Sequence, residues 1–108
     1  MQLQLNVYLN MKAKEFKTHC TNSVLEYAGD GIYNFYDLSD FWFNYNINES
    51  EFTEMGDVKI SEKQLLFIEK LIIDFHDNKE NEKHQDQARI YLMEDPFIIE
   101  SYFNTQNL

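Results

Sequence analysis

The side chains that could do chemistry in this chain are few, and their spacing suits none of the common reactions. The histidines are His19, His76 and His84, and the single cysteine is Cys20. None falls into HExxH or CxxC spacing. His19 and Cys20 are adjacent, so on a helix they point about 100° apart and do not share an ion. Asp74, His76 and Asp77 cluster near a predicted helix end, where a histidine suits the helix dipole. No D-x-[DN]-x-[DN]-G pattern surrounds Gly29, Gly31 or Gly56, which excludes an EF-hand. Three glycines build neither a GxGxxG turn nor a Walker-type loop. Cys20 lies on an apolar helical stripe and reads as a packing residue. Carboxylate pairs such as Glu49 with Glu51, or Glu94 with Asp95, carry no weight among nineteen acids. The sequence predicts no catalytic residue, no metal and no cofactor, and a chain that is not an enzyme.

What remains is charge and aromatic surface. The 108 residues carry nine Lys and Arg against nineteen Asp and Glu, a net charge of −10. A nucleic-acid binder needs a cationic surface to displace counterions from phosphates, so direct nucleic-acid binding is excluded. Docking to an anionic membrane is excluded for the same reason. The charge is concentrated. Between Thr18 and Val58 there is no Lys or Arg, while Glu26, Asp30, Asp37, Asp40, Glu49, Glu51, Glu54 and Asp57 are all acidic. Nine of the seventeen aromatic residues... Tyr27, Tyr33, Phe35, Tyr36, Phe41, Trp42, Phe43, Tyr45 and Phe52... lie in the same stretch. Solubilising acidic tails are poor in aromatics, so this segment is folded. Rings left exposed among carboxylates would act as anchors within a steering field. The predicted partner-binding residues are therefore Asp37, Asp40, Trp42, Tyr45, Glu49, Glu51, Glu54 and Asp57, facing a basic protein.

The elements that must position these residues read as mainly α: one globular domain over residues 1–108, built as a small helical bundle. Asn10 as N-cap, with Ala13, Phe16, Cys20, Val24 and Tyr27 at spacings of three and four, predicts a helix from Met11 to Ala28. Gly29 stops it in the left-handed conformation. Residues 32–46 fit both periods. Phe41, Phe43, Tyr45 and Ile47 alternate as in a strand, whereas Leu38, Phe41, Trp42 and Tyr45 form a helical stripe behind Asp37 as N-cap. The short helix is preferred because cap and stripe agree. Residues 48–58 read as a loop. Ser61 with Gln64 forms a capping box, Ile60 staples against Leu65, and a central helix runs to about His76. Residues 78–87 are an exposed loop or the first turns of a helix continuing through Ala88–Met93. Asp95-Pro96 starts a terminal helix. Leu3, Leu5, Val7 and Leu9 alternate like a short N-terminal strand or hairpin, with a helical extension or initiation at Met11 as alternatives.

Size, the cation-free aromatic segment, the capped helix from Ser61 and the Asp95-Pro96 start together resemble bacterial immunity proteins. These neutralise toxin domains of contact-dependent growth inhibition and related polymorphic toxin systems. The resemblance spans the chain as a profile and contains no diagnostic motif, so it assigns no residue roles. It implies a non-enzymatic cytoplasmic protein that binds its cognate toxin, often a tRNase or DNase, and blocks the active site or an adjoining surface. A lone cysteine and an N-terminus without a basic, apolar leader agree with a cytoplasmic location. Two other readings share some of the evidence. A phage-type acidic mimic of nucleic acid would use the same charge, but Lys59, Lys63, Lys70, Lys79 and Lys83 interrupt the second half. A helical adaptor subunit would leave the acidic segment incidental.

Overall fold

The structure is a computed structural model, and it describes residues 10–79 and 89–91. In chain order it consists of α1 (Ala13–Thr21), β1 (Val24–Gly29), β2 (Ile32–Tyr36), β3 (Trp42–Asn46), β4 (Glu51–Met55), α2 (Glu62–Lys79) and β5 (Arg89–Tyr91). The strands form one antiparallel sheet in the order β4-β3-β2-β1-β5, a four-strand meander with the short β5 added beside β1. The fold is α+β, which corrects the expected mainly helical bundle.

The correction has local causes. Phe16 and Cys20 continue the predicted apolar stripe of α1, but the helix ends at Thr21. There Ser23 Oγ donates to the His19 carbonyl at 2.8 Å and Thr21 Oγ1 to that of Lys17 at 2.7 Å, side chains replacing the next helical turn. Lys12, not Asn10, occupies the N-cap position. Val24 and Tyr27 therefore belong to β1. Gly29, Asp30 and Gly31 all have positive φ (96°, 56° and 82°) and close a hairpin instead of a helix. Asp-Gly flanked by apolar residues is a strong hairpin signal, because a twisted two-residue turn needs positive φ at both positions.

Residues 42–46 take the period-two alternative. The helical reading placed Leu38 in the buried stripe with Phe41 and Tyr45, yet Leu38 is fully exposed. β4 falls where a loop was expected. Only Phe52 in it packs against the core, so it leaves almost no hydrophobic signal, and its pairing with β3 decides its conformation. Arg89–Tyr91, expected within a helix through Ala88–Met93, pair with Glu26, Leu25 and Val24 as a strand. The predicted N-terminal strand or hairpin and the Asp95-Pro96 helix lie outside the described residues.

Alternation gives the sheet two unlike faces. On the inner face Leu25, Phe35 and Phe43 stand in register, as do Tyr27, Tyr33, Tyr45 and Phe52. Phe16 of α1 meets Phe67 of α2 edge-on at 5.6 Å and Phe41 at 6.0 Å, closing the core with Ile68, Leu71 and Ile72. Two tyrosines reach through this layer to polar partners on α2. Tyr45 donates to Glu69 Oε2 at 2.6 Å, and the Tyr33 hydroxyl is hydrogen-bonded with His76 Nδ1 at 2.8 Å. Burial raises both phenols to about 12, with Glu69 adding to it at Tyr45 and the neighbouring Tyr27 and Asp77 at Tyr33. The capping box forms as read: Gln64 N donates to Ser61 Oγ at 3.2 Å and Ser61 N to Gln64 Oε1 at 2.9 Å. Gln64 is also buried and donates to the Met11 carbonyl at 2.9 Å, tying the start of α2 to the chain before α1.

On the outer face, Val24, Tyr36 and Trp42 stand in one register row, and Glu26, Asn34, Asn44 and Glu54 in the next. Over β1–β4 this face is acidic, amide-rich and aromatic and lies within the cation-free segment; at the β5 edge Arg89 pairs with Glu26 in the same row.

Candidate protein-binding site

The β2–β3 loop is built around Asp37. Its Oδ1 accepts from the Ser39 amide at 2.8 Å and from Ser39 Oγ at 2.6 Å. Its Oδ2 lies 2.6 Å from His19 Nδ1, which must donate to a carboxylate that only accepts. The Phe41 amide donates to Ser39 Oγ at 3.2 Å, and the Asp37 amide to the Phe41 carbonyl at 3.0 Å. The His19 ring stacks on Phe41 at 4.9 Å, so one side chain of α1 holds the loop by a hydrogen bond and by ring contact. Burial raises the Asp37 pKa, but the hydrogen bonds from Ser39 and His19 outweigh it and hold the carboxyl below the ordinary aspartate value. The expected helix N-cap is thus a turn cap, the same side-chain chemistry serving a different backbone. Cys20, next to His19, is wholly buried; burial, with Asp37 adding, pushes its thiol well up, away from the reactive thiolate.

Trp42 lies beside this loop on the outer face, half-buried. The chain leaving β4 crosses next to it, with the Gly56 amide donating to the Trp42 carbonyl at 2.8 Å. A Cβ at Gly56 would collide with the Asp40 carbonyl and stand 2.7 Å from Trp42 Nε1. Asp40, Trp42 and the Gly56-Asp57 turn are therefore in close contact. Asp40 and Asp57 are exposed here. So are two apolar side chains: Leu38 at the tip of the loop and Met55, paired with Phe43, at the end of β4. The chain matches no protein-family model, no curated protein and no solved structure.

The eight residues predicted to bind a partner do not form one patch. Asp37, Asp40, Trp42 and Asp57 gather at the loop end. Glu54 stands on the outer face, where Asn44 Nδ2 donates to it at 3.4 Å. Glu49 and Glu51 lie at the opposite end of β3, about 16 Å away at the usual strand rise. There they adjoin the Asp30-Gly31 turn, Asn48 Nδ2 donating to the Asp30 carbonyl at 3.5 Å. Tyr45 is wholly buried and held by Glu69, a core residue and not a surface anchor. The sequence reasoning missed Leu38, Met55 and His19. The run Asp37-Leu38-Ser39-Asp40 carries a turn composition that would have placed Leu38 at a tip.

An open depression of ≈ 390 Å³ lies along α1, lined by Lys12, Lys14, Glu15, Thr18 and the same His19 that holds the Asp37 loop. Among the described residues no group of three His, Cys, Asp or Glu is placed to hold a metal ion. Among them, too, no helix is long and apolar enough to cross a membrane.

Proposed function

We propose that this chain is an immunity-type inhibitor that acts in the cytoplasm by seating the loop end of its sheet on a basic, nuclease-type toxin domain. The observation that carries the reading is that Asp40, Asp57 and Leu38 share one end of the sheet with Trp42 on the outer face and Met55 on the inner, and that β1–β4 carry no cation. Nuclease sites are cationic because they bind phosphates. An acidic surface with apolar anchors uses the same field, the acids accelerating encounter and the anchors slowing release. The acids do not form a long, evenly spaced row. Asp37, Asp40 and Asp57 lie at one end of the sheet, Asp30, Glu49 and Glu51 at the other, and Glu26 and Glu54 on the outer face between them, which favours a localised plug over a phosphate-like mimic.

The test is co-expression of the chain with candidate basic nucleases, chiefly one encoded directly upstream, followed by assay of nuclease activity and binding. Inhibition at near-equimolar ratio is expected. Asp40→Lys with Asp57→Lys should slow association about tenfold or more and flatten its salt dependence, while Trp42→Ala should mainly speed dissociation. Inhibition untouched by all three substitutions would remove the loop end as the interface.

A further inference from the structure

We propose that Leu38 is the anchor by which the chain enters its partner, and that it occupies an apolar pocket rimmed by Lys or Arg side chains on a protein surface. The inference rests on the reading of a basic protein partner and adds what part of that partner is recognised. Among the described residues three large apolar side chains are exposed: Leu38 at 104%, Leu66 at 53% and Met55 at 39%. Leu66 sits alone on α2, an ordinary feature of a soluble surface. Leu38 differs in exposure, in company and in rigidity.

Its side chain touches essentially nothing, so its type contributes nothing to the core. Trp42 on the outer face and Met55 on the inner share its end of the sheet. Its backbone is fixed on both sides, because Asp37 holds the Ser39 amide and His19, and the Phe41 amide donates to Ser39 Oγ. A side chain presented from an ordered loop loses little conformational freedom on docking, which is the usual advantage of a preorganised anchor. The charge around it selects the pocket. Asp37 is committed to His19 and Ser39, leaving Asp40 and Asp57 exposed beside it, and no Lys or Arg comes from Thr18 to Val58. An apolar floor with a cationic rim complements that pattern. A second copy of this chain would set acids against acids, and nucleic acid or an anionic bilayer would be repelled.

The test uses the full chain immobilised at low salt. The protein it retains from the native cell is released at high salt and repurified, and this protein is the titrant for all variants. Leu38→Ala should weaken binding about tenfold or more through faster dissociation, with unchanged melting temperature. Leu38→Met should stay within about threefold of the parent, and Leu38→Lys should be the weakest, because it places a cation among cations. Leu66→Ala should change nothing. If Leu38→Ala and Leu38→Lys bind like the parent while Asp40→Lys still slows association, the anchor is refuted and the acidic-interface reading stands. If no basic protein is retained, or the acid reversals also leave binding unchanged, the reading of a basic partner at this end falls and the anchor falls with it.

Discussion

One end of the sheet carries Asp37, Asp40 and Asp57 together with Leu38, with Trp42 on the outer face and Met55 on the inner; the other carries Asp30, Glu49 and Glu51 with Asn48 and Ser50. Both ends are acidic, so both attract a basic partner from a distance. Among the described residues of the sheet and its loops, the exposed large apolar side chains, Leu38 and Met55, lie at the first. Long-range charge governs how fast partners meet, and buried apolar contacts govern how long they stay. On the proposed reading the difference between the ends separates a region that would steer from a region that would hold, which charge counted along the sequence merges into one.

The ends also differ in what fixes their turns. Asn46 Oδ1 accepts from the amides of Asn48 at 2.9 Å and Glu49 at 3.1 Å, much as Asp37 Oδ1 accepts from Ser39. One cap is an amide and never titrates; the other is a carboxylate whose negative charge also holds His19.

The largest expected effect contrasts the glycines of the two ends. Gly56→Ala should cost about 3 kcal/mol in urea unfolding, because its Cβ meets the Asp40 carbonyl and the Trp42 ring. It should also disorder the loop end and abolish binding. Gly29→Ala meets nothing within 4 Å and pays only for its φ of +96°, about 1 kcal/mol, with binding retained. Equal effects on binding would erase the distinction between the ends.

A smaller effect is acid sensitivity confined to the loop end. The Asp37 pKa is lower folded than unfolded, so its stabilisation is complete above the ordinary aspartate range. It is lost as pH falls through the folded value. Amide exchange at Ser39 and Phe41 should therefore quicken below about pH 4, after correction for the intrinsic rate, while that at Asn48 and Glu49 keeps its protection. Asp37→Asn should abolish the pH dependence. Loosening of both turns together would mean global unfolding and not a local cap.

The smallest effect belongs to the steering end. Glu49→Lys with Glu51→Lys should lower the association rate by a few fold, leave dissociation unchanged, and lose its influence as salt is added. A change in dissociation would put this end inside the interface.

Parts of this arrangement were legible in the sequence, each for a physical reason. The α2 capping box is a local signal between Ser61 and Gln64, and it needs no tertiary contact to be read. The acid enrichment and the missing cations are composition, and folding does not alter them. The sheet was hidden because Val24 and Tyr27 continue the helical spacing of Phe16 and Cys20, so the termination by Thr21 and Ser23 was overrun. In residues 38–45 the two periods share Phe41 and Tyr45, and Leu38, Trp42 and Phe43 tell them apart. Leu38 proved exposed and Phe43 buried. Tyr45 shares a face with Phe41 in either period, and its burial against Glu69 depends on α2 covering that face, which charge and ring composition do not carry. The division of the acids between two ends follows from strand direction, which no composition count carries.

The most direct test of the account is to label the full chain isotopically, titrate it with the repurified protein that it retains, and map the backbone amide shifts. The account predicts that the perturbed amides cluster at Asp37–Trp42 and Met55–Asp57, with Asp30 and Asn48–Glu51 nearly unmoved. Perturbations centred on Asp30 and Asn48–Glu51, with the loop end silent, would contradict it.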